Sequence, residues 1–251
     1  MFFRFCSSYL DRPFYEPPLY AVDDSYIPYI LSDGEMEKVI DCVDNYKYGN
    51  SSLPYIQKEF PIVIRLLDSS GFRVGELLST KMTEVDLDNG ILKMVNTKSL
   101  CERLVPLEVS MAELLCCYCK IMGLQMNTSA YLFPGKGILE PLTTGDIYER
   151  YQMALVKAGI RPKSYNDNSR GPCLHDLRHR FTFRAIKQLL SLGTSWDDIA
   201  SYLSTYLGHS SIKETEHYMK FYADCFPEEL GKFAALATPL MSDDEAWNDW
   251  L

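Results

Sequence analysis

Four side chains in the last third of the sequence have the chemical types needed to break a phosphodiester. His175 and Arg178 lie three residues apart, and Tyr218 follows His209 by nine residues. At a spacing of three, an imidazole and a guanidinium share one side of a helix start and can converge on one group. Cleavage without a metal requires positive donors on the non-bridging oxygens, a nucleophile, and an acid for the departing oxygen. The set therefore predicts phosphodiester chemistry with a tyrosine nucleophile. A core position is the alternative for Tyr218, and a helix cap is the alternative for His209.

Two basic residues earlier in the chain could contact the same phosphate. Arg73 follows a glycine turn and stands at a predicted helix N-terminus, where backbone amides and the helix dipole favour anions. Lys98 falls in a predicted turn between two strands, from which it can extend toward a ligand. Each has an alternative role: Arg73 could be a surface arginine paired with Glu76, and Lys98 could be a solubilising turn lysine.

The charge of the chain is unevenly distributed. The formal net charge of −9 argues against a nucleic-acid partner, but residues 161–187 have seven basic side chains and two acidic ones, a local balance of +5. A basic cluster attracts phosphates even on an acidic protein, so this segment predicts DNA contacts. A solvated helix face is the alternative. The DNA-binding candidates are Arg170, Arg180, Arg184 and Lys213, with packing as the other role considered for Arg180.

Neither a cofactor nor a metal is expected from the sequence. All four histidines lie after position 174, and the ligand spacing of a structural zinc site is missing. The eight cysteines are expected to be buried free thiols. No apolar run approaches the ~20 residues that span a bilayer, and the N-terminus lacks a signal-peptide pattern. The sequence therefore predicts a cytosolic protein.

Periodicity and turn signals predict a mainly α-helical α+β protein with a small antiparallel sheet. A Pro- and Tyr-rich stretch over 13–28 predicts an extended linker. Asn89-Gly90 between alternating apolar residues predicts a hairpin, and residues 103–107 predict an edge strand that Pro106 ends. Capping boxes of the form Ser-x-x-Glu predict helix starts near 33, 111 and 212. Further helices are predicted at 57–67, 74–80, 144–158, 177–191 and 196–206, with Gly193 stopping the fourth of these.

Four segments resemble, in order, the signature of the tyrosine recombinases, the phage integrase family, over about residues 30–222. The segments are Gly71-Phe72-Arg73-Val74-Gly75-Glu76-Leu77, Thr97-Lys98, His175-Asp176-Leu177-Arg178-His179, and Leu207-Gly208-His209 with Tyr218. Each is a weak signal alone, but their order and separations make the set specific. The resemblance implies the catalytic-domain fold of this family, mainly α-helical with a three-stranded antiparallel sheet.

The resemblance also implies a role for each residue that matches the signature. Arg73 and Arg178 would clamp the scissile phosphate and stabilise its pentacoordinate transition state. Tyr218 would attack, giving a 3′-phosphotyrosyl link and a free 5′-hydroxyl, and Lys98 would protonate the leaving oxygen. The resemblance thus implies an enzyme that breaks and rejoins DNA strands without a cofactor.

The remaining matches have supporting roles. His175 would assist proton transfer at the tyrosine, His209 would hydrogen-bond a phosphate oxygen, and Glu76 would support the first arginine. The implied partners are double-stranded DNA at a specific recombination site and further copies of the chain, which would form a tetramer on that DNA. The implied process is integration, excision or resolution of a DNA element. A type IB topoisomerase and a DNA-binding regulator without catalysis are the alternatives.

Three regions follow from the extent of the resemblance. Residues 1–30 are predicted to be a linker or the remnant of an N-terminal DNA-binding domain, which members of the family usually carry. Residues 31–222 would form the catalytic domain. Residues 223–251 would form a C-terminal helix and an acidic tail. The tail could fold back over the basic patch in cis, or it could be a disordered solubilising segment.

Overall fold

The first helix of the described residues begins where a serine and a glutamate cap each other. The computed structural model describes residues 28–47, 52–95, 102–160 and 171–209. In helix α1 (Asp33–Asp44), Ser32 Oγ accepts from the backbone N–H of Glu35, and the Glu35 carboxylate accepts from the backbone N–H of Ser32. The structure thus confirms the helix start predicted near 33, because a capping box is a contact within four residues.

Helix α2 (Ile56–Ser70) ends at Gly71 and leads into the short helix α3 (Val74–Leu78). Gly71 has φ +61°, and a Cβ atom placed there would overlap the ring of Phe181. Both the backbone angle and the close approach therefore require glycine at this turn. The turn places Arg73 immediately before α3 and brings α2 against a later helix that carries Phe181.

The three-stranded antiparallel sheet is confirmed. Its order is β1 (Val85–Asp86), β2 (Ile91–Met94) and β3 (Arg103–Pro106), so β3 is an edge strand that ends at the proline. Register pairs Leu92 with Val105 and Met94 with Arg103. Leu92, Met94 and Val105 are buried, which fixes the register because a one-residue slip would move them to the opposite face.

Four longer helices complete the described structure. They are α4 (Val109–Met122), α5 (Thr144–Lys157), α6 (Leu174–Ser191) and α7 (Trp196–Leu207). The prediction that Ser110 caps α4 is wrong: the helix begins two residues earlier than predicted, because the Glu108 carboxylate accepts from the backbone N–H of Ser110. Helix α6 also begins earlier than predicted, at a cap in which the Asp176 carboxylate accepts from the backbone N–H of Cys173.

The apolar side chains form two clusters that meet along α6. The larger cluster contains side chains from each of the helices α1 through α5 and from the sheet. It also includes Leu174 and Leu177 at the start of α6. The smaller cluster joins the second half of α6 to α7 through residues such as Phe183, Ile186 and Leu203. Each fully buried side chain of this size stabilises the fold by about 1.5–3 kcal/mol relative to its exposed state. Within the described ranges, none of the helices combines the length and the apolar character that a membrane crossing needs.

Candidate active site

Arg178 is a buried cation between the ends of two helices. Its relative exposure is 1%, and its Nη1 and Nη2 donate to the carbonyl oxygens of Gly71 and Leu207 at 2.7 and 2.8 Å. These carbonyls lie where α2 and α7 end, and a helix C-terminus carries a partial negative charge. Two helix ends therefore compensate the desolvated guanidinium and fix its plane.

Arg73 lies beside a carboxylate that it shares with a second arginine. Arg73 Nη1 donates to Glu76 Oε1 at 2.9 Å, and Arg103 Nη2 donates to Glu76 Oε2 at 2.7 Å. The Glu76 side chain is 5% exposed and that of Arg103 is 8% exposed, whereas that of Arg73 is 23% exposed. The pairing of Arg73 with Glu76 that the sequence offered as an alternative is thus present, and it leaves Arg73 partly open to solvent.

The turn after α7 brings the two predicted phosphate clamps together. Leu207 O accepts from Arg178, and Gly208 O accepts from Arg73 Nη1 in a longer contact of 3.4 Å. Gly208 has φ +64°, so the chain reverses here, and the backbone N–H of His209 donates to Ser204 O at 3.0 Å. Arg73, Arg178 and His209 therefore meet at one turn, although Arg73 and Gly208 are 135 positions apart.

His175 is the predicted site residue nearest the start of α6. It lies in the first turn of α6, is exposed, and contacts the ring of His179 edge-on, with the ring centroids 4.8 Å apart. Arg178 is one turn further along and points inward. The two side chains lie on one side of the helix start at different depths, which would allow an imidazole at the surface and a guanidinium below it to act on one group.

Two of the predicted DNA-contacting arginines have different environments. Arg180 is 4% exposed; its guanidinium donates to Leu31 O at 2.8 Å and forms ion pairs with Asp33 and Asp68. Because these three groups occupy a buried side chain, we replace the predicted DNA contact at Arg180 with its alternative role in packing. Arg184 has a side chain that is 58% exposed, with one long contact of 3.5 Å to Asp68. The count of basic residues in 161–187 therefore overstates the positive charge at the surface.

Several predicted residues lie outside the described residues. They are Lys98, Arg170, Lys213 and Tyr218, together with the linker at 13–27, the helix start near 212 and the acidic tail. For Lys98 and Tyr218, the sequence shows which described elements their segments connect to. Lys98 belongs to the connection between β2 and β3, and the segment that leads to Tyr218 leaves from His209.

Sequence reasoning missed two residues of this site, Arg103 and Tyr206. Arg103 was predicted only as part of an edge strand. No local sequence pattern indicates its contact with Glu76, because the two residues lie 27 positions apart. Tyr206 stacks on Phe181 with centroids 5.4 Å apart. Burial raises the pKa of Tyr206 to about 12, although the charges of Arg103 and Arg178 and a hydrogen bond with Ser70 lower it. Tyr206 therefore stays protonated at neutral pH and is a poor nucleophile.

The described part of the site is a largely buried cluster of charged side chains with a positive balance. It holds three guanidinium groups, those of Arg73, Arg103 and Arg178, and one carboxylate, that of Glu76. Charges interact more strongly in such a low-dielectric environment than in water. The arrangement can therefore stabilise an anion that gains negative charge, such as a phosphate in its transition state.

The chain is similar to known proteins over most of its length. Residues 31–224 match the family model described as the phage integrase family. The chain is 27% identical over 195 residues to the putative integrase/recombinase y4rB of Sinorhizobium fredii, a match that covers 76% of this chain and 61% of that protein. The chain thus spans about six tenths of the length of this relative.

Two solved structures have the same fold. The crystal structure of XerA recombinase superposes with a TM-score of 0.55 at 21% identity, covering 85% of this chain and 66% of that one. XerH site-specific recombinase, in a pre-cleavage complex with its difH substrate, superposes with a TM-score of 0.57 at 21% identity, covering 77% and 50%. These matches confirm the predicted fold class.

Proposed function

Because this chain belongs to the phage integrase family, we propose that it is a site-specific DNA recombinase that cleaves and rejoins DNA through a 3′-phosphotyrosyl intermediate. The observation that supports this most strongly is the convergence of Arg73, Arg178 and His209 on the turn after α7. The segment that carries Tyr218 follows this turn directly. The turn that both arginines contact would thus also lead to the nucleophile. We propose residues 31–222 as the catalytic domain.

In the proposed reaction, Tyr218 attacks the scissile phosphorus. The phenolic oxygen forms a bond to phosphorus while the bond to the 5′ oxygen breaks, and Lys98 gives that oxygen a proton. Arg73 and Arg178 stabilise the negative charge that builds on the non-bridging oxygens. Tyrosine has a pKa of about 10 in isolation, so it requires a cationic neighbourhood and a base to become a nucleophile at neutral pH. His175 is the proposed proton acceptor, and His209 a phosphate donor.

The reverse reaction completes strand exchange. A 5′-hydroxyl from a partner strand attacks the phosphotyrosyl bond, returns the proton to Tyr218, and restores a phosphodiester. Since one ester replaces another, the cycle requires neither ATP nor a redox cofactor. Two such rounds on four strands would recombine two duplexes, which is why we propose a tetramer of the chain on DNA. Integration, excision and resolution of an element are all consistent with this chemistry.

The proposed DNA contacts outside the catalytic cluster are Arg170, Arg184 and Lys213. Arg184 has the exposure that a phosphate contact requires. XerH site-specific recombinase was solved bound to its difH substrate, which supports a substrate of the same class here. Neutralising phosphates with such side chains releases counterions, so binding should weaken as salt increases.

A covalent-capture experiment tests this proposal and does not require a defined recombination site. The 251-residue chain is mixed with a library of nicked duplexes with a randomised core, in which cleavage next to the nick releases a short fragment and prevents religation. Adducts that survive denaturation are isolated and sequenced. We expect enrichment of a defined core by the wild type and no adduct from Tyr218→Phe. Tyr202→Phe, at an exposed position of α7, is the matched control and should retain the adduct.

The outcomes also separate the two alternatives. Adducts without sequence enrichment, together with relaxation of supercoiled plasmid, would favour a type IB topoisomerase. Sequence-selective retention of DNA without any denaturation-resistant adduct would favour a regulator that lacks catalysis. Adducts that persist in Tyr218→Phe would show that a different residue is the nucleophile.

A further inference from the structure

Arg103 is a nearly buried arginine that lies outside the four signature segments. It is the first residue of the edge strand β3 and lies opposite Met94 in the register. Its side chain is 8% exposed. Nη2 donates to Glu76 Oε2 at 2.7 Å, whereas Nε and Nη1 are buried without a hydrogen-bond partner among the described residues. Burying a guanidinium in this way is costly.

The first consequence concerns the carboxylate that Arg103 shares with Arg73. Glu76 offers one oxygen to each arginine. A carboxylate readily forms a two-pronged pair with a single guanidinium when both oxygens are available. By occupying Oε2, Arg103 limits Glu76 to one bond with Arg73. Without Arg103, the carboxylate could turn both oxygens to Arg73 and neutralise the charge that a phosphate would otherwise meet.

The second consequence concerns the turn before His209. A Cβ atom added to Gly208 would lie 2.8 Å from Arg103 Nη1 and 3.1 and 3.2 Å from its Cδ and Cζ. The flat guanidinium therefore packs against the backbone of this glycine. The Gly208 carbonyl contacts Arg73. The turn is thus held by Arg103 on its Cα side and by Arg73 at its carbonyl.

We propose that Arg103 is a positioning residue for DNA strand cleavage. It acts through Glu76, which keeps Arg73 directed at the scissile phosphate, and through Gly208, which holds the turn that carries His209. It also ties this turn to β3 at the end of the connection that contains Lys98. This role rests on the proposed function, because cleavage of DNA is the step that it supports.

The test compares the rate of cleavage with the affinity for DNA. Arg103→Met and Arg103→Lys are assayed on the duplex captured by the wild type, under single-turnover conditions, and the dissociation constant is measured on the same duplex. Losing a charge-assisted hydrogen bond predicts a decrease in the rate of adduct formation of about 10- to 100-fold for Arg103→Met. The dissociation constant should stay within about twofold, since Arg103 is nearly buried and the exposed phosphate contacts that dominate DNA affinity are unchanged. Arg103→Lys, which keeps the charge, should be intermediate.

Lys93→Met is the matched control. Lys93 is the neighbour of Met94 in the same sheet and forms an exposed ion pair with Glu102 at 3.0 Å. Its substitution removes a basic side chain from the sheet without reaching Glu76, and its cleavage rate should equal that of the wild type. If Arg103→Met cleaves at the wild-type rate, the proposal is overturned. A parallel decrease in rate, affinity and thermal stability would also overturn it, because that pattern indicates general unfolding.

A double-mutant cycle tests whether Arg103 acts through Glu76. Glu76→Gln keeps the shape of the side chain but removes its charge. Since the two residues contact each other, their effects should not add: the double variant should cleave no more slowly than the slower single variant. Full additivity would overturn the proposed route through Glu76.

A spectroscopic measurement does not require cleavage. The side-chain 15N–1H signals of Arg73, assigned by comparison with Arg73→Lys, report its hydrogen bonding to Glu76. We expect these signals to shift in Arg103→Met and to stay in place in Lys93→Met. Unchanged signals in Arg103→Met would overturn the coupling, whereas absence of a Tyr218-dependent adduct from the wild type would count against the proposed function, with the spectra still deciding the role of Arg103.

Discussion

Arg178 Nη1 donates a hydrogen bond to the carbonyl oxygen of Gly71 at 2.7 Å, although the two residues lie 107 positions apart in the chain. The contact joins the start of α6 to the end of α2 and places Arg178, one proposed phosphate clamp, beside the turn that carries Arg73, the other. The same guanidinium reaches Leu207 O in α7. Arg178 is therefore part of the framework of the fold as well as of the proposed chemistry.

This double role predicts that Arg178→Met lowers stability as well as activity. The substitution leaves two buried carbonyl oxygens without their donor, and each unsatisfied group costs about 1–3 kcal/mol. We expect the free energy of unfolding to decrease by about 3 kcal/mol, measured by urea denaturation. Arg65→Met, which removes a more exposed pair with Asp44, should cost less than about 1 kcal/mol. Equal losses in the two variants would contradict the framework role of Arg178.

The turn at Gly71 predicts a large effect of a single methyl group. Gly71→Ala introduces a left-handed backbone penalty and an overlap with Phe181. Gly123→Ala has nearly the same φ, +65° against +61°, but nothing lies within 4 Å of its added Cβ. The control should therefore lose about 1–2 kcal/mol from backbone conformation alone, and Gly71→Ala should lose clearly more in urea denaturation. Similar losses would show that the ring of Phe181 moves aside at little cost.

Glu59 predicts a pH-dependent contribution to stability. It is fully buried in α2, and neither carboxylate oxygen has a hydrogen-bond partner among the described residues. Burial, together with the negative charge of Asp146, raises the pKa of Glu59 to about 9. Between the ordinary pKa of a glutamate and this value, the folded protein holds a proton that the unfolded chain has lost. Stability should therefore decrease with rising pH in that window, by about 1.4 kcal/mol per unit at most.

The Glu59→Gln variant isolates this effect. The amide keeps the shape of the protonated acid but does not titrate, so the variant should gain stability over the wild type as pH is raised from about 5 to about 9. Urea denaturation at several pH values gives the difference. Glu113→Gln, at an exposed position of α4, is the control and should show little change. A difference between Glu59→Gln and the wild type that does not vary with pH would argue against a buried neutral carboxyl.

Arg180 and Arg184 are predicted to separate stability from DNA binding. Arg180→Met removes a buried guanidinium from Leu31 O, Asp68 and the exposed Asp33 and should lower the free energy of unfolding by about 3 kcal/mol. Arg184→Met removes an exposed cation and should leave stability nearly unchanged. Its DNA affinity should decrease, and the slope of log affinity against log salt should fall by about one. An unchanged salt slope would remove Arg184 from the proposed DNA interface.

The elements of the fold could be predicted where the signal is local. The Ser32–Glu35 capping box and the turn at Asn89-Gly90 act within four residues, and both appear where the sequence predicts them. The predicted start of α4 was wrong because the Glu108 carboxylate accepts from the backbone N–H of Ser110. The predicted capping box assigned this N–H to Glu113 instead. Local patterns thus predict that a helix exists better than they predict where it begins.

The sequence by itself determined the family, the mainly helical fold and the residue types of the site, because these depend on ordered motifs and local periodicity. Tertiary structure decided what each arginine does. Arg178 and Arg180 lie two positions apart on α6, yet one turns to helix ends and the other to two aspartates. Arg103 contacts Glu76 and packs against Gly208, and both residues are distant from it in the sequence. The role of a buried charged side chain depends on the groups that compensate its charge, because an uncompensated buried charge is costly. These groups come from distant parts of the chain.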